Sequence, residues 1–356
     1  MKLSLGIVGL PNVGKSTLFN ALVKAKKAQV SNYPFCTIEP NVGVVEVPDA
    51  RLQKLQKILK VPKKIPAPIK FIDIAGLVKG AHKGEGLGNQ FLANIREAAA
   101  IVFVLRAFKA GKIAPPLDKI DPSAEFEIIK TELILKDLET LEKRLNNLKT
   151  EIKRGDKLAK QVVKILENIK KTLNQDLLAE STGLTQAEKD LISDLGLLTL
   201  KPILAVLNCD ESQLKKPLFI KDLPEERQIE IAAQTEAELI DLDPKEQKEY
   251  LQSLGLPEPG LNRLIRAGFH LLKLISFYTH TKDLVQAWPI PENSTAQKAA
   301  GIVHTDFAQK FIKAQILSFE DLKKAGSYLT AKKQGLTKTE GKNYKIQNSN
   351  IVRFII

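Results

Sequence analysis

The 356-residue sequence predicts an α/β fold, with a mainly parallel sheet interrupted by a helical insertion. Two observations carry that expectation. Short apolar runs at Leu3–Val8, Ile69–Ile72, Ile101–Leu105 and Pro202–Leu207 alternate with turns and helical stretches. The last of these comes only after a long break, and the break has a helical periodicity of its own.

The elements follow in order. Leu3–Val8 is a strand that runs into a glycine-bearing turn and then into a helix with Leu18, Phe19 and Leu22 on its apolar side. Ile101–Leu105 is apolar throughout, as in a strand covered on both faces. In the break, Leu138, Leu141, Leu145, Leu148 and Ile152 alternate spacings of three and four. Arg154-Gly155-Asp156 interrupts, and Leu158, Val162, Ile165 and Ile169 resume. This predicts two helices folded back on each other, as an antiparallel coiled coil or a plain helical hairpin. Pro257-Glu258-Pro259-Gly260 marks a turn, followed by a helix carrying Leu261, Leu264, Ile265, Phe269 and Leu272. Residues 274–356 contain short β-rich runs.

Hydrophobic residues make up 44% and charged residues 27%, an ordinary balance for a soluble globular chain of two or three domains. No apolar run reaches the ~18 residues of a membrane helix, and the start of the chain lacks a signal-peptide layout. Cys36 and Cys209 form neither a disulfide framework nor a metal-ligand pattern, so a reducing cytoplasm is expected. The net charge of +13 suggests a polyanionic partner or simply a lysine-rich surface. Residues 274–356 hold 12 Lys/Arg against 6 Asp/Glu, about half of the excess.

Gly9-Leu10-Pro11-Asn12-Val13-Gly14-Lys15-Ser16 has the G-x-x-x-x-G-K-[ST] spacing of a phosphate-binding loop, between a strand and a helix as that motif requires. Glycines let backbone N–H groups turn towards phosphate oxygens. Lys15 is placed to reach the β- and γ-phosphates, and the Ser16 hydroxyl to ligate Mg²⁺. Asp73-Ile74-Ala75-Gly76 follows the Ile69–Ile72 strand as a D-x-x-G sequence. Asp73 is expected to hold Mg²⁺ through water, and the Gly76 N–H to touch the γ-phosphate. Thr37, between the two motifs, is the candidate second Mg²⁺ hydroxyl in a loop ordered by the γ-phosphate. Leu77 stands where a glutamine would orient the attacking water, which predicts slow turnover. The Leu77–Asn89 loop is glycine-rich.

The Pro202–Leu207 strand ends in Asn208-Cys209-Asp210-Glu211, where GTPases carry N-K-x-D. There the aspartate accepts from guanine N1–H and the 2-amino group. Cys209 replaces the lysine and the longer Glu211 replaces the aspartate. Adenine loses nothing by a misplaced acceptor, so adenine is preferred. Ile231-Ala232-Ala233-Gln234 fits the last base-contacting loop.

Residues 6–20, 33–41, 73–81 and 84–89 closely resemble the Obg-like ATPase (YchF) family. Ala287-Trp288, Ala299-Ala300-Gly301, His304-Thr305-Asp306-Phe307 and Glu340-Gly341-Lys342 are similar too, so the likeness spans essentially the whole chain. It implies a P-loop G-domain over 1–129 and 199–273, a helical hairpin over 130–198 and a C-terminal β-grasp (TGS) domain over 274–356. It implies ATP preference and binding to the large ribosomal subunit or its RNA, with neither DNA specificity nor a membrane. By position, Asn12, Val13, Gly14, Lys15, Ser16 and Thr17 would form the phosphate site. Ser16, Thr37 and Asp73 would form the Mg²⁺ site, and Asn208, Cys209 and Glu211 the base site. Lys15, Thr37, Asp73 and Gly76 carry the catalytic assignment. Asn12 resembles the P-loop asparagine of potassium-activated G proteins, which implies K⁺ assistance. One departure stands out. Bacterial members commonly carry a histidine in the loop after the strand ending at Arg106, whereas Lys109–Pro116 has none. His82 is a conceivable substitute. A translational GTPase and a nucleotide-holding regulatory module are the competing functions.

Overall fold

A computed structural model describes residues 3–27, 41–74, 94–109, 116–117, 119–153, 155–214 and 218–356. In chain order the first elements are β1 (Ser4–Val8), α1 (Lys15–Lys27), β2 (Val42–Glu46), α2 (Ala50–Leu59), β3 (Lys63–Ile65), β4 (Pro68–Asp73) and β5 (Ala100–Arg106). Then come α3 (Pro122–Lys153), α4 (Lys157–Leu173), α5 (Gln186–Leu191), β6 (Ile203–Asn208), β7 (Gln228–Ile231), α6 (Ala233–Leu239), α7 (Pro244–Leu254) and α8 (Gly260–Leu271). The last are β8 (Leu274–His280), β9 (Leu284–Pro291), α9 (Ala296–Val303), α10 (Thr305–Gln309), β10 (Lys313–Ser318), α11 (Phe319–Ala325), α12 (Tyr328–Lys333), β11 (Lys338–Glu340) and β12 (Asn350–Ile355). The chain divides into two compact units, Met1–Gly43 with Lys70–Leu264, and Val44–Ile69 with Ile265–Ile356.

One six-stranded sheet has the order β2-β4-β1-β5-β6-β7, and its strands β1, β5, β6 and β7 lie wholly within the first unit. β1 pairs in parallel with both β4 and β5, β5 with β6, and β6 with β7. All residues of β1, β5 and β6 are buried, which explains why these strands read as unbroken apolar runs rather than as alternation. The register sets Ile7 beside Asp73, Arg106 beside Asn208 and Asn208 beside Ile231. The carboxyl ends of these strands therefore share one edge, where ligands of open α/β sheets bind.

The insertion folds as α3 and α4. Gly155 makes the turn at φ 86, and Asp156 starts α4 by accepting from the N–H groups of Leu158 and Ala159. Leu141, Leu148, Val162, Ile165, Leu166, Ile169 and Leu173 belong to one core cluster. Leu158 departs from its expected place on the seam. It is 53% exposed, and Ala159 takes the buried position at 3%. Leu158 shares the helix face of Val162, Ile165 and Ile169, and its exposure comes from its place in the first turn of α4, at the end of the hairpin beside the Gly155 turn. The buried Asp137 of α3 accepts from the Leu198 and Thr199 N–H groups (2.9 and 2.7 Å) and from the Thr199 hydroxyl (2.6 Å). That set of bonds fixes the helix to the segment entering β6.

The second unit has a six-stranded sheet in the order β11-β10-β12-β8-β9-β3. β8 and β9 are antiparallel, as are β10 and β12, while β12 meets β8 in parallel. Phe277, Ile290, Ala299, Ala314, Ile316 and Val352 form its core. The unit draws on two distant stretches of chain. β3 pairs with β9, Tyr278 donates to Asp49, and Arg51 donates to both Asp49 and Ser349. Among the described residues no helix is long and apolar enough to cross a membrane.

Candidate nucleotide-binding site

The phosphate loop connects β1 to α1. A side chain at Gly9 would bring its Cβ to 2.7 Å from the Val104 carbonyl oxygen, so only glycine lets the loop lie this close to β5. Gly14 adopts φ 88, and a Cβ there would run into the Asn208 amide. Asn12 also takes a left-handed conformation, at φ 65. Leu18 N–H donates to the Gly14 carbonyl at 3.0 Å, starting the α1 ladder. The N–H groups of the preceding turn have no helical acceptor, which is what makes a helix start receptive to phosphate. Lys15 forms an ion pair with Asp73, 58 residues further on at the end of β4. Both side chains are mostly buried, at 11% and 17% exposure.

At the other end of the site, Asn208 is buried and fully engaged. Its Nδ2 donates to the Val13 carbonyl at 2.9 Å, and its Oδ1 accepts from the Ala233 N–H at 3.0 Å. One side chain thus joins the phosphate loop, the end of β6 and the start of α6. Cys209 N–H donates to the Ile231 carbonyl at 3.0 Å. Burial pushes the Cys209 thiol up to about 12, so it is an inert wall of the site and not a nucleophile. Asp210 accepts from the Lys109 N–H at 2.9 Å. The Glu211 carboxylate accepts from the Tyr250 hydroxyl at 2.8 Å, with the Thr235 hydroxyl at 3.5 Å from the same oxygen.

Between these ends stands Arg106, 1% exposed. Its guanidinium donates to the Asn12 and Phe108 carbonyls, each at 3.3 Å, and lies 4.4 Å from the centroid of the Phe108 ring. Its backbone N–H donates to Glu125 of α3 at 2.9 Å. Burial raises the Glu125 carboxyl to about 7, against the opposing effects of the Arg106 N–H and guanidinium.

Asn12, Val13, Gly14, Lys15, Ser16, Thr17, Asn208, Cys209 and Glu211 all line one cavity of about 1120 Å³, together with Phe108, Thr235 and Glu238. Asp73 reaches that site through Lys15. Thr37 and Gly76 lie outside the described residues, as do Leu77, His82 and the rest of the second glycine-rich loop. Ser16 and Asp73 offer a hydroxyl and a carboxylate, hard oxygen donors of the kind that suit Mg²⁺ alongside substrate phosphates. The sequence reading missed Arg106, Phe108, Thr235 and Tyr250. An arginine closing the otherwise apolar β5 was a visible signal for the first; Tyr250 had none.

A parallel sheet whose carboxyl edge brings a phosphate loop and a post-β6 asparagine corner into one cavity defines a P-loop nucleoside-triphosphate-binding protein of the GTPase class. Residues 4–209 match the family described as 50S ribosome-binding GTPase, and residues 274–356 match YchF-GTPase_C, described as a protein of unknown function (DUF933). The Ribosome-binding ATPase YchF of Escherichia coli O157:H7 is 45% identical over 98% of both chains. That of Bacillus subtilis (strain 168) is 42% identical over 99% of both. The solved YchF GTPase of Schizosaccharomyces pombe is 32% identical, covers 99% of this chain and 98% of its own, and superposes with a TM-score of 0.88. The chain belongs to the YchF family.

Proposed function

We propose that this protein is an Mg²⁺-dependent ATPase that prefers ATP to GTP, hydrolyses it slowly, and binds the ribosome, through the large subunit, as a nucleotide-dependent switch. The observation that carries the reading is the shared cavity of Lys15, Ser16, Asn208 and Glu211, a triphosphate cradle at one end and an altered base corner at the other. The names of the relatives, Ribosome-binding ATPase YchF, and the family description, 50S ribosome-binding GTPase, support the activity and the partner. The +6 charge of residues 274–356 supports contact with ribosomal RNA. In this reading the protein acts in the cytoplasm, and the chain divides into a G-domain (1–129 and 199–273), a helical hairpin (130–198) and a TGS-like domain (274–356).

The roles follow from the chemistry. Lys15 neutralises β- and γ-phosphate oxygens, and its partner Asp73 is released towards the metal side when the phosphates take the lysine. Ser16 and Thr37 would ligate Mg²⁺, Asp73 would hold it through water, and the Gly76 N–H would meet the γ-phosphate. Bound Mg²⁺ would supply charge neutralisation on the phosphates. Asn12, at the rim of the same cavity, is where K⁺ would assist. Asn208, Cys209 and Glu211 meet the base. Leu77 cannot orient water, which keeps the rate low until a partner or an ion supplies that function.

The test is equilibrium binding of ATP, GTP and ADP with Mg²⁺, and single-turnover hydrolysis, each with and without large ribosomal subunits. Tighter ATP than GTP binding, and measurable hydrolysis, are expected. GTP preference would make the protein a translational GTPase. Tight binding without hydrolysis under every condition would make it a nucleotide-holding regulator.

A further inference from the structure

The Glu211 carboxylate is not a free acceptor. Tyr250 donates to its Oε2 at 2.8 Å, and the Thr235 hydroxyl lies 3.5 Å from the same oxygen. Glu211 opens a short turn, Glu211–Gln213, whose start is fixed by a reciprocal capping pair between Asp210 and Gln213. Tyr250 comes from α7, a well-defined helix. Asp243 caps its start by accepting from the N–H groups of Lys245 and Glu246 at 2.8 and 2.9 Å, and Pro244 opens its first turn. Gly255 closes it at φ 72, and Leu251 and Leu254 bury its inner face. The phenol is therefore presented from a helix anchored at both ends. The carboxylate beside it holds the phenol proton on, raising that hydroxyl above its ordinary range.

We propose that Tyr250 is a specificity-positioning residue of the nucleotide site, holding the Glu211 carboxylate against α7 so that it cannot serve as the two-oxygen acceptor guanine requires. Guanine recognition by a carboxylate uses both oxygens at once, one for N1–H and one for the 2-amino group. Here one oxygen already faces two hydroxyl donors. A guanine donor would have to compete with the tyrosine hydroxyl for that oxygen and pull the carboxylate away from α7. Adenine has neither donor and makes no such demand, so its binding is untouched. On this account the extra methylene of Glu211 does more than crowd the base: it lets the carboxylate reach Tyr250. The inference rests on the reading of Asn208–Glu211 as the base corner with adenine preference.

The test is Tyr250→Phe in the full-length protein, which keeps the ring and removes only the hydroxyl. Dissociation constants for ATP, GTP and ITP are measured with Mg²⁺ in wild type and variant, and the melting temperature confirms an intact fold. The expected result is unchanged ATP affinity and GTP binding tightened by roughly three- to tenfold, the net scale of one ordinary hydrogen bond at a solvent-exposed site. ITP keeps the N1–H but lacks the 2-amino group, so its gain should be smaller than that of GTP. A general loosening of the site would move all three nucleotides together, and that outcome would overturn the proposal. So would an unchanged GTP to ATP ratio in a wild type that prefers ATP, which leaves the adenine reading standing. A wild type that prefers GTP would remove the adenine reading and this inference with it.

Discussion

The Asn208 side chain bonds the Val13 carbonyl at 2.9 Å across 195 residues of sequence, and so ties the end of β6 to the phosphate loop. Its other amide atom accepts from Ala233. Removing the side chain strands a buried carbonyl and a buried N–H. Asn208→Ala should cost about 1–3 kcal/mol of stability. It should also weaken ATP and GTP together, because the phosphate loop is disturbed along with the base corner. Denaturant titration and binding of both nucleotides check this. A change confined to the ATP to GTP ratio would contradict the bracing role.

Lys15→Ala should abolish tight triphosphate binding, since it removes the cradle's side-chain cation. The variant also leaves the partly buried Asp73 without its ion-pair partner. Calorimetric titration with ATP reads the outcome. Unchanged affinity and turnover would contradict the P-loop assignment.

Glu211→Asp should shift specificity towards GTP. The shorter carboxylate falls short of Tyr250 and moves nearer to the place of the aspartate in N-K-x-D. A charge-assisted pair contributes roughly 1.5–3 kcal/mol, or about tenfold or more, and Cys209 in place of the lysine makes the shift partial. The ratio of ATP to GTP dissociation constants is the readout. No change would move discrimination to backbone groups near Cys209 or to Ile231–Gln234.

Glu125 should make stability depend on pH. Its carboxyl titrates near 7 in the folded protein, against an ordinary value of 4.5, because burial disfavours the charge. Between those values the native state holds a proton that the unfolded chain has released. Stability from this group is therefore greatest below about 4.5 and is lost as the pH rises towards 7. Glu125→Gln should flatten that part of the profile, by as much as about 3 kcal/mol. Urea midpoints of wild type and variant at pH 5 and pH 7.5 test it. Parallel profiles would contradict it.

Polyanion binding should fall steeply between low and moderate salt. The discontinuity of the second unit dictates how to map it. Deleting residues 274–356 would strip β3 of its partner β9 and Asp49 of Tyr278, so truncation mixes weaker binding with damage to the fold. Substitution is cleaner. Lys323, Lys324, Lys332 and Lys333 are exposed on or beside α11 and α12. Changing all four to alanine should weaken ribosome binding and lower the log–log salt slope by roughly 0.7–0.9 for each phosphate that the lysines no longer neutralise. Unchanged binding would shift the ribosome-facing surface to the turn of the helical hairpin near Lys157.

What the sequence determined by itself is local. The strand, glycine turn and helix from Ser4 to Lys27 are contiguous, so spacing alone conveyed the phosphate loop. Fully buried parallel strands are apolar throughout, which made β5 and β6 legible. The alternation of threes and fours revealed both hairpin helices, though not that Leu158, in the first turn of α4, lies exposed at the hairpin end. Tertiary structure decided what depends on residues far apart in sequence. The Lys15–Asp73 pair, the Asn208 brace and the Arg106 bond to Asn12 span 58, 195 and 94 residues. Isolated polar side chains carry no periodicity, so nothing local marks their partners. The same holds for Tyr250, an ordinary surface tyrosine in sequence, whose one hydroxyl reaches Glu211 only because α7 and the β6 corner are folded side by side.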